Sequence, residues 1–94
     1  MNMKLELKKF GQLLISRPAG KEAWLAAKAY TLSDLDDSEK IEVDFNDVLV
    51  LAPSWADEFL TPLLKDFPQR VSFLPSANQT VNSSLEIINH ETKS

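Results

Sequence analysis

The chain has 94 residues, 44% of them hydrophobic, enough to close one core but hardly two, so a single domain over 1–94 is expected. A formal net charge of −4 and a pI near 4.8 set an average field that repels phosphate backbones and anionic lipid, which argues against nucleic acid and membrane as partners. With no cysteine, disulfide frameworks, thiolate nucleophiles and Cys-ligated metal sites are excluded.

The opening residues, Met1 to Lys9, hold no apolar run of signal-peptide length, and no segment reaches the roughly 20 apolar residues of a membrane helix. A soluble, cytoplasmic chain is expected. From Lys4 to Phe10 charged and apolar residues alternate, setting Leu5 and Leu7 on one face and Lys4, Glu6 and Lys8 on the other, as in a half-exposed strand. Gly11-Gln12 offers a turn before Leu13-Leu-Ile15. Residues 1–15 therefore form either a hairpin, which is the preferred reading, or a strand followed by a second segment leading into a helix.

Ser16-Arg17-Pro18 is a helix start, with Ser16 or Arg17 in the capping position, because proline is tolerated in the first turn, where its missing N–H has no intrahelical partner. The helix extends to about Tyr30, with Gly20 weakening its first turn. Ala19, Ala23, Ala27 and Tyr30, with Trp24 beside them, form a face of small residues expected to approach a sheet. Asp34, Asp36, Asp37 and Glu39 crowd the following connection. A calcium loop needs a glycine at the sharp turn and a later bidentate Glu, and neither is in place, so the run reads as a solvated loop.

Ile41, Val43 and Phe45 point one way along the next strand, and Val48 to Ala52 reads as a buried strand or strand extension stopped by Pro53. A second helix follows from Ser54 to Lys65, with Trp55, Phe59, Leu60, Leu63 and Leu64 on one broad apolar face. Pro62 conflicts with it, since an interior proline removes a backbone hydrogen bond at a cost of about 3 kcal/mol. The helix is expected to kink at Glu58–Phe59 or to start a turn later. Val71 and Phe73 share a face of the last strand. Pro75 to Gln79 then opens a third helix, Ser76 and Gln79 standing at capping-box spacing and Val81, Leu85 and Ile88 forming its inward stripe. Residues 89–94 read as a frayed tail. The element order implies an α/β domain with right-handed crossovers, a mixed β-sheet of about four strands and three α-helices.

The segment Val43-Asp-Phe45, Val48, Ser54-Trp-Ala-Asp-Glu58, supported by the helix start at Ser16-Arg17, resembles the STAS-like domains. These are small bacterial relatives of the sulphate transporter and anti-sigma factor antagonist fold. The pattern is most similar to the STAS-like domain of unknown function, with its Asp-Phe pair, short apolar stretch and Ser-aromatic-Ala-Asp-Glu helix opening. The element order extends the likeness over residues 12 to 90. In the antagonist branch a serine at the start of the helix after this strand is phosphorylated, and the phosphate decides which protein the domain binds. By position that residue is Ser54. Where antagonists carry Asp-Ser-Ser-Gly, however, this chain has Ala52-Pro53-Ser54-Trp55, and Asp57 and Glu58 would repel a phosphate on Ser54.

The same residues have ordinary structural uses. Ser54 and Asp57 stand at the spacing of a helix cap, Asp57 and Glu58 complement the helix dipole, and Trp55 anchors either a core or an interface. Asp44 is placed to accept hydrogen bonds from the neighbouring turn. Catalytic parts are lacking: the single histidine, His90, lies near the chain end, and Gly11 and Gly20 are too far apart for a phosphate-cradling loop. Adjacent carboxylates such as Asp57 and Glu58 point about 100° apart on a helix and would not share one substrate.

No enzymatic activity, cofactor or metal is therefore expected. The resemblance implies a regulatory protein-interaction module that works as a partner switch through the turn at 52–58. Its partner would carry a histidine-kinase-like ATPase fold or be a serine kinase, and Trp55, Asp57, Glu58, Asp44 and Arg17 would form the contact set around Ser54. The alternative is a mobile-element or host-interaction protein that blocks a partner complex through its acidic surface at Asp34, Asp36, Asp37 and Glu39.

Overall fold

The computed structural model describes residues 2–92. Its first strand, β1 (Asn2–Glu6), ends in a single 3-10 turn over Leu7–Phe10, and Gly11, at φ 126°, swings the chain into a two-residue strand, β2 (Leu13–Leu14). Few residues other than glycine tolerate that backbone angle. No hairpin forms. β1 pairs in parallel with β3 (Lys40–Asp44), β2 in parallel with β4 (Val50–Leu51), and β3 in parallel with β5 (Val71–Phe73). The described strands thus form two parallel sheets, ordered β1-β3-β5 and β2-β4, in place of one mixed sheet of about four strands. Parallel neighbours need long crossovers, and the helices supply them.

β2 leads directly into α1 (Arg17–Ala26), capped by Ser16 and not Arg17: the Ser16 hydroxyl accepts from the Ala19 amide at 3.2 Å. The helix widens into a π turn over Ala27–Thr31, closed by the Leu32 amide on the Ala27 carbonyl at 2.8 Å. The small face of α1 meets a helix and not a sheet. Gly20, Ala23, Trp24 and Ala27 are buried, Ala19 and Tyr30 are exposed, and the main partner is α2 (Pro53–Asp66). α2 runs unbroken past Pro62 and starts one residue earlier than expected. Proline at its first position has no N–H to satisfy, which suits a helix start.

α2 lies between α1 and α3 (Gln79–Thr92) and carries the centre of the core. Trp55 and Phe59 stack with ring centroids 5.0 Å apart, Phe10 tilts onto Phe59 at 5.3 Å, and Trp24 meets it edge-on at 5.9 Å. Beneath them, Leu5, Ile41 and Val43 come from the three-stranded sheet and Leu14 and Leu51 from the two-stranded one. The alternation read from sequence holds, since Ile41, Val43 and Phe45 are all buried.

α3 is capped by Asn78 and not by a Ser76–Gln79 box. The Asn78 Oδ1 accepts from the Thr80 and Val81 amides at 2.9 and 3.3 Å, while Ser76 Oγ accepts from the Asn78 amide. The Asn78 Nδ2 donates to the Val48 and Leu49 carbonyls at 3.0 and 2.9 Å, fastening the helix start to the loop before β4. Val81 and Ile88 point inward as expected, joined by Ser84, whose hydroxyl donates to the Leu51 carbonyl at 2.6 Å. The helix continues through Thr92, so helical backbone runs into the stretch read as a tail, and 93 and 94 lie outside the described residues.

Candidate functional site

The chain leaves β4 at Leu51, crosses Ala52 in extended conformation and begins to coil at Pro53. Ala52 is the capping residue, and no side chain caps this end. The first intrahelical bond runs from the Ala56 amide to the Ala52 carbonyl at 3.0 Å. Ser54 is therefore the second residue of the helix, half-buried, and the capping position expected for it belongs to Ala52.

Asp57 and Glu58 occupy the next turn, on the face of α2 that Ser54 begins, since positions three and four apart are neighbours on a helix. The guanidinium of Arg17, reaching over from the start of α1, places Nη1 2.8 Å from Asp57 Oδ2 and 2.8 Å from Glu58 Oε2. The two carboxylates diverge along their helix, yet one nitrogen from a second helix spans them. The hydrogen bonds to Asp57 and then Glu58 raise the Arg17 pKa above its already high ordinary value, keeping the cation charged throughout. Asp57 also accepts from the Thr61 hydroxyl at 2.9 Å, which orients its carboxylate.

On the other side of the corner, an open groove of about 440 Å³ runs between β4 and α3, with Val50, Ala52 and Pro53 on one wall and Gln79, Thr80 and Ser83 on the other. α3 side chains take the place of a further strand here. The Leu51 amide donates to Thr80 Oγ1 at 3.1 Å, and the Leu51 carbonyl accepts from Ser84.

The expected contact set divides. Arg17, Asp57, Glu58 and Ser54 sit together at the corner. Trp55 does not join them: it is 1% exposed, stacked within the aromatic core, and cannot serve as a surface anchor. Asp44, 6% exposed at the end of β3, accepts from the Asn46 amide at 2.9 Å and lies 3.9 Å from Lys4 Nζ, so it shapes its own turn. In the acidic connection, Arg70 donates to the Glu39 and Asp36 backbone carbonyls and packs on the Phe67 ring. The Asp36 carboxylate accepts from the Ser38 amide at 3.0 Å and from its hydroxyl, which lowers the Asp36 pKa. Among the described residues no three acidic or histidine side chains converge as a metal site. Asn78 and Gly20 are the site-building residues the sequence reading missed. A capping residue three positions before an apolar residue was a usable signal for Asn78.

A small α/β domain whose described strands are all parallel, with a half-buried strand-to-helix corner, is the class of protein these elements define. The chain belongs to the family described as the STAS-like domain of unknown function, whose model matches residues 28–93. That span holds the 43–58 segment and leaves out Ser16 and Arg17. Searches of curated proteins and of solved structures return no match. Among the described residues no helix is long and apolar enough to cross a membrane.

Proposed function

We propose that this domain is a non-enzymatic regulatory module that binds a protein partner through the corner at 52–58, with phosphorylation of Ser54 as the switch. The observation that carries the reading is the placement of Ser54, half-buried in the first turn of α2 and one turn before a carboxylate pair already held by Arg17. A phosphate there would meet the positive end of the helix dipole, worth about 0.3–1 kcal/mol at an exposed site. The repulsion expected from Asp57 and Glu58 is reduced by the cation they share, and the guanidinium is also the group best shaped to turn toward a phosphate. The partner chemistry implied is a serine kinase or a protein with a histidine-kinase-like ATPase fold.

The test is incubation with such a kinase and ATP, followed by intact-mass measurement of wild type and Ser54→Ala, and partner titration of wild type against Ser54→Asp. One phosphoryl group on wild type alone, with a change in partner affinity for Ser54→Asp, is expected. An unmodified Ser54 together with equal binding of both forms removes the switch.

A further inference from the structure

Three stretches of this chain, Phe10–Ser16, Val48–Ala56 and Val71–Leu85, contain no charged residue, although 26% of the whole sequence is charged. Part of each meets in one place. β2 pairs with β4, the Gln12 carbonyl takes the Leu49 and Val50 amides, and α3 closes over Leu51 through Thr80 and Ser84. The result is a neutral face in which Leu13 is 62% exposed, Ile15 49% and Leu49 58%, running into the groove between β4 and α3. Depletion of charge, more than apolarity alone, is what distinguishes the centre of a protein interface from ordinary surface.

The backbone of β2 says what fits there. The Gln12 and Leu14 carbonyls point toward β4, where they accept from Val50 and Ala52. Because strand residues alternate, the N–H and C=O groups of Leu13 and of Ile15 point the opposite way, along an edge with neither a lysine nor a proline to guard it. β1, by contrast, carries Lys4 and Glu6. Laid antiparallel against itself with Leu14 on the two-fold axis, the segment Gln12–Ser16 sets Leu13 opposite Ile15 of the other copy, twice. Both are then in the hydrogen-bonded register, where each facing pair exchanges two backbone bonds. The same alternation that buries Leu14 puts the Leu13 and Ile15 side chains on the outer face, as apolar cross-strand partners.

We infer that the β2 edge is a homodimer interface, in which two copies pair their Gln12–Ser16 segments antiparallel and join their two-stranded sheets into a four-stranded one. The segment is self-complementary in donors, acceptors and side chains, as a two-fold contact must be. Its neutrality matters as well. Two chains of net charge −4 repel each other, and an uncharged contact lets them meet without setting like charges face to face. The β2 edge lies outside the 52–58 corner, so neither this pairing nor its test depends on Ser54.

The experiment is sedimentation or light scattering across concentrations up to about 1 mM, the weak end of specific association. Wild type is expected to move toward twice its 10.6 kDa mass. Leu13→Pro deletes an N–H that points away from β4, and Ile15→Lys places like charges across the axis. Each is expected to weaken the dimer by about 10-fold or more. Leu25→Lys, on an exposed position of α1, leaves it unchanged, and circular dichroism of all three variants verifies that they fold. A wild type that stays monomeric throughout overturns the inference. So does a dimer that survives both β2 variants, or an edge whose amides become protected from exchange only when a different protein is added.

Discussion

Gly20 of α1 sits directly beneath the backbone of Trp55 in α2: a Cβ at position 20 would come within 2.6 Å of the Trp55 carbonyl oxygen and 3.0 Å of its Cα. The two helices cross at van der Waals distance because one of them has no side chain at the crossing. The same closeness brings Glu58, whose Cβ lies 3.1 Å from that position, within reach of Arg17 one turn away.

Gly20→Ala is accordingly expected to destabilise the fold. In an open helix the substitution gains about 1 kcal/mol. Here the contact is with backbone, which cannot rotate aside, and overpacking of this kind typically costs about 1–3 kcal/mol. Urea denaturation reads the sign, and a raised midpoint would contradict the packing described.

Trp55→Ala is expected to lose about 3–5 kcal/mol, as for other large aromatics removed from a core. Ser54→Ala, at a half-buried first-turn position outside the capping site, should stay within about 0.5 kcal/mol of wild type. Thermal denaturation of the pair distinguishes them. Loss of partner binding in Trp55→Ala would thus report on folding, whereas the Ser54 variants can report on the corner itself.

Asn78→Ala removes the α3 cap and the two bonds to the Val48 and Leu49 carbonyls, for an expected loss of about 2 kcal/mol. Asn78→Asp keeps the cap but aims a carboxylate at two carbonyl oxygens, so it should not restore stability. If Asn78→Asp matches wild type in a melting experiment, the tie to the 48–49 loop carries no energy.

The Asp36 pKa is held down by the Ser38 amide and hydroxyl. A group whose folded pKa lies below its unfolded value contributes stability that is present above the unfolded value, and that stability is lost as pH falls through the folded one. The turn at Asp36–Ser38 should therefore be intact from neutrality down to the ordinary aspartate value of 3.8 and loosen only below it. A carboxyl NMR titration midpoint at or above 3.8 would be the contrary result.

The capping residues show how much of this was legible in the sequence. At the first helix the sequence leaves Ser16 and Arg17 both open as the cap, and Pro18 at the second helical position makes it Ser16, whose hydroxyl meets the Ala19 amide. At the next helix the proline comes first, which pushes the cap back to Ala52 and makes Ser54 helical. Only one position separates the two cases. The strand from 41 to 45 was readable because one face is buried throughout. The pairing of β1 was not, since the turn at Gly11 suits a hairpin as well as it suits the turn actually made, and the choice depends on a partner far along the chain. The corner's chemistry was half visible: Ser54, Asp57 and Glu58 are neighbours in sequence, but that Arg17 joins them follows from a helix crossing that no local pattern encodes.

Parallel pairing also shapes how the molecule must come together. Asn2 stands opposite Lys40, and Ile41 opposite Val71, so no strand has its mate close by in the sequence. During synthesis the first strand waits until β3 has left the ribosome, and β3 in turn waits for β5. Pairing at such separations makes an α/β domain fold more slowly than a helical bundle of similar size. Until those pairings form, Leu5 and Leu7 lack the neighbours that bury them in the fold, and a nascent chain stalled before Val71 would leave them open to the cell's folding helpers.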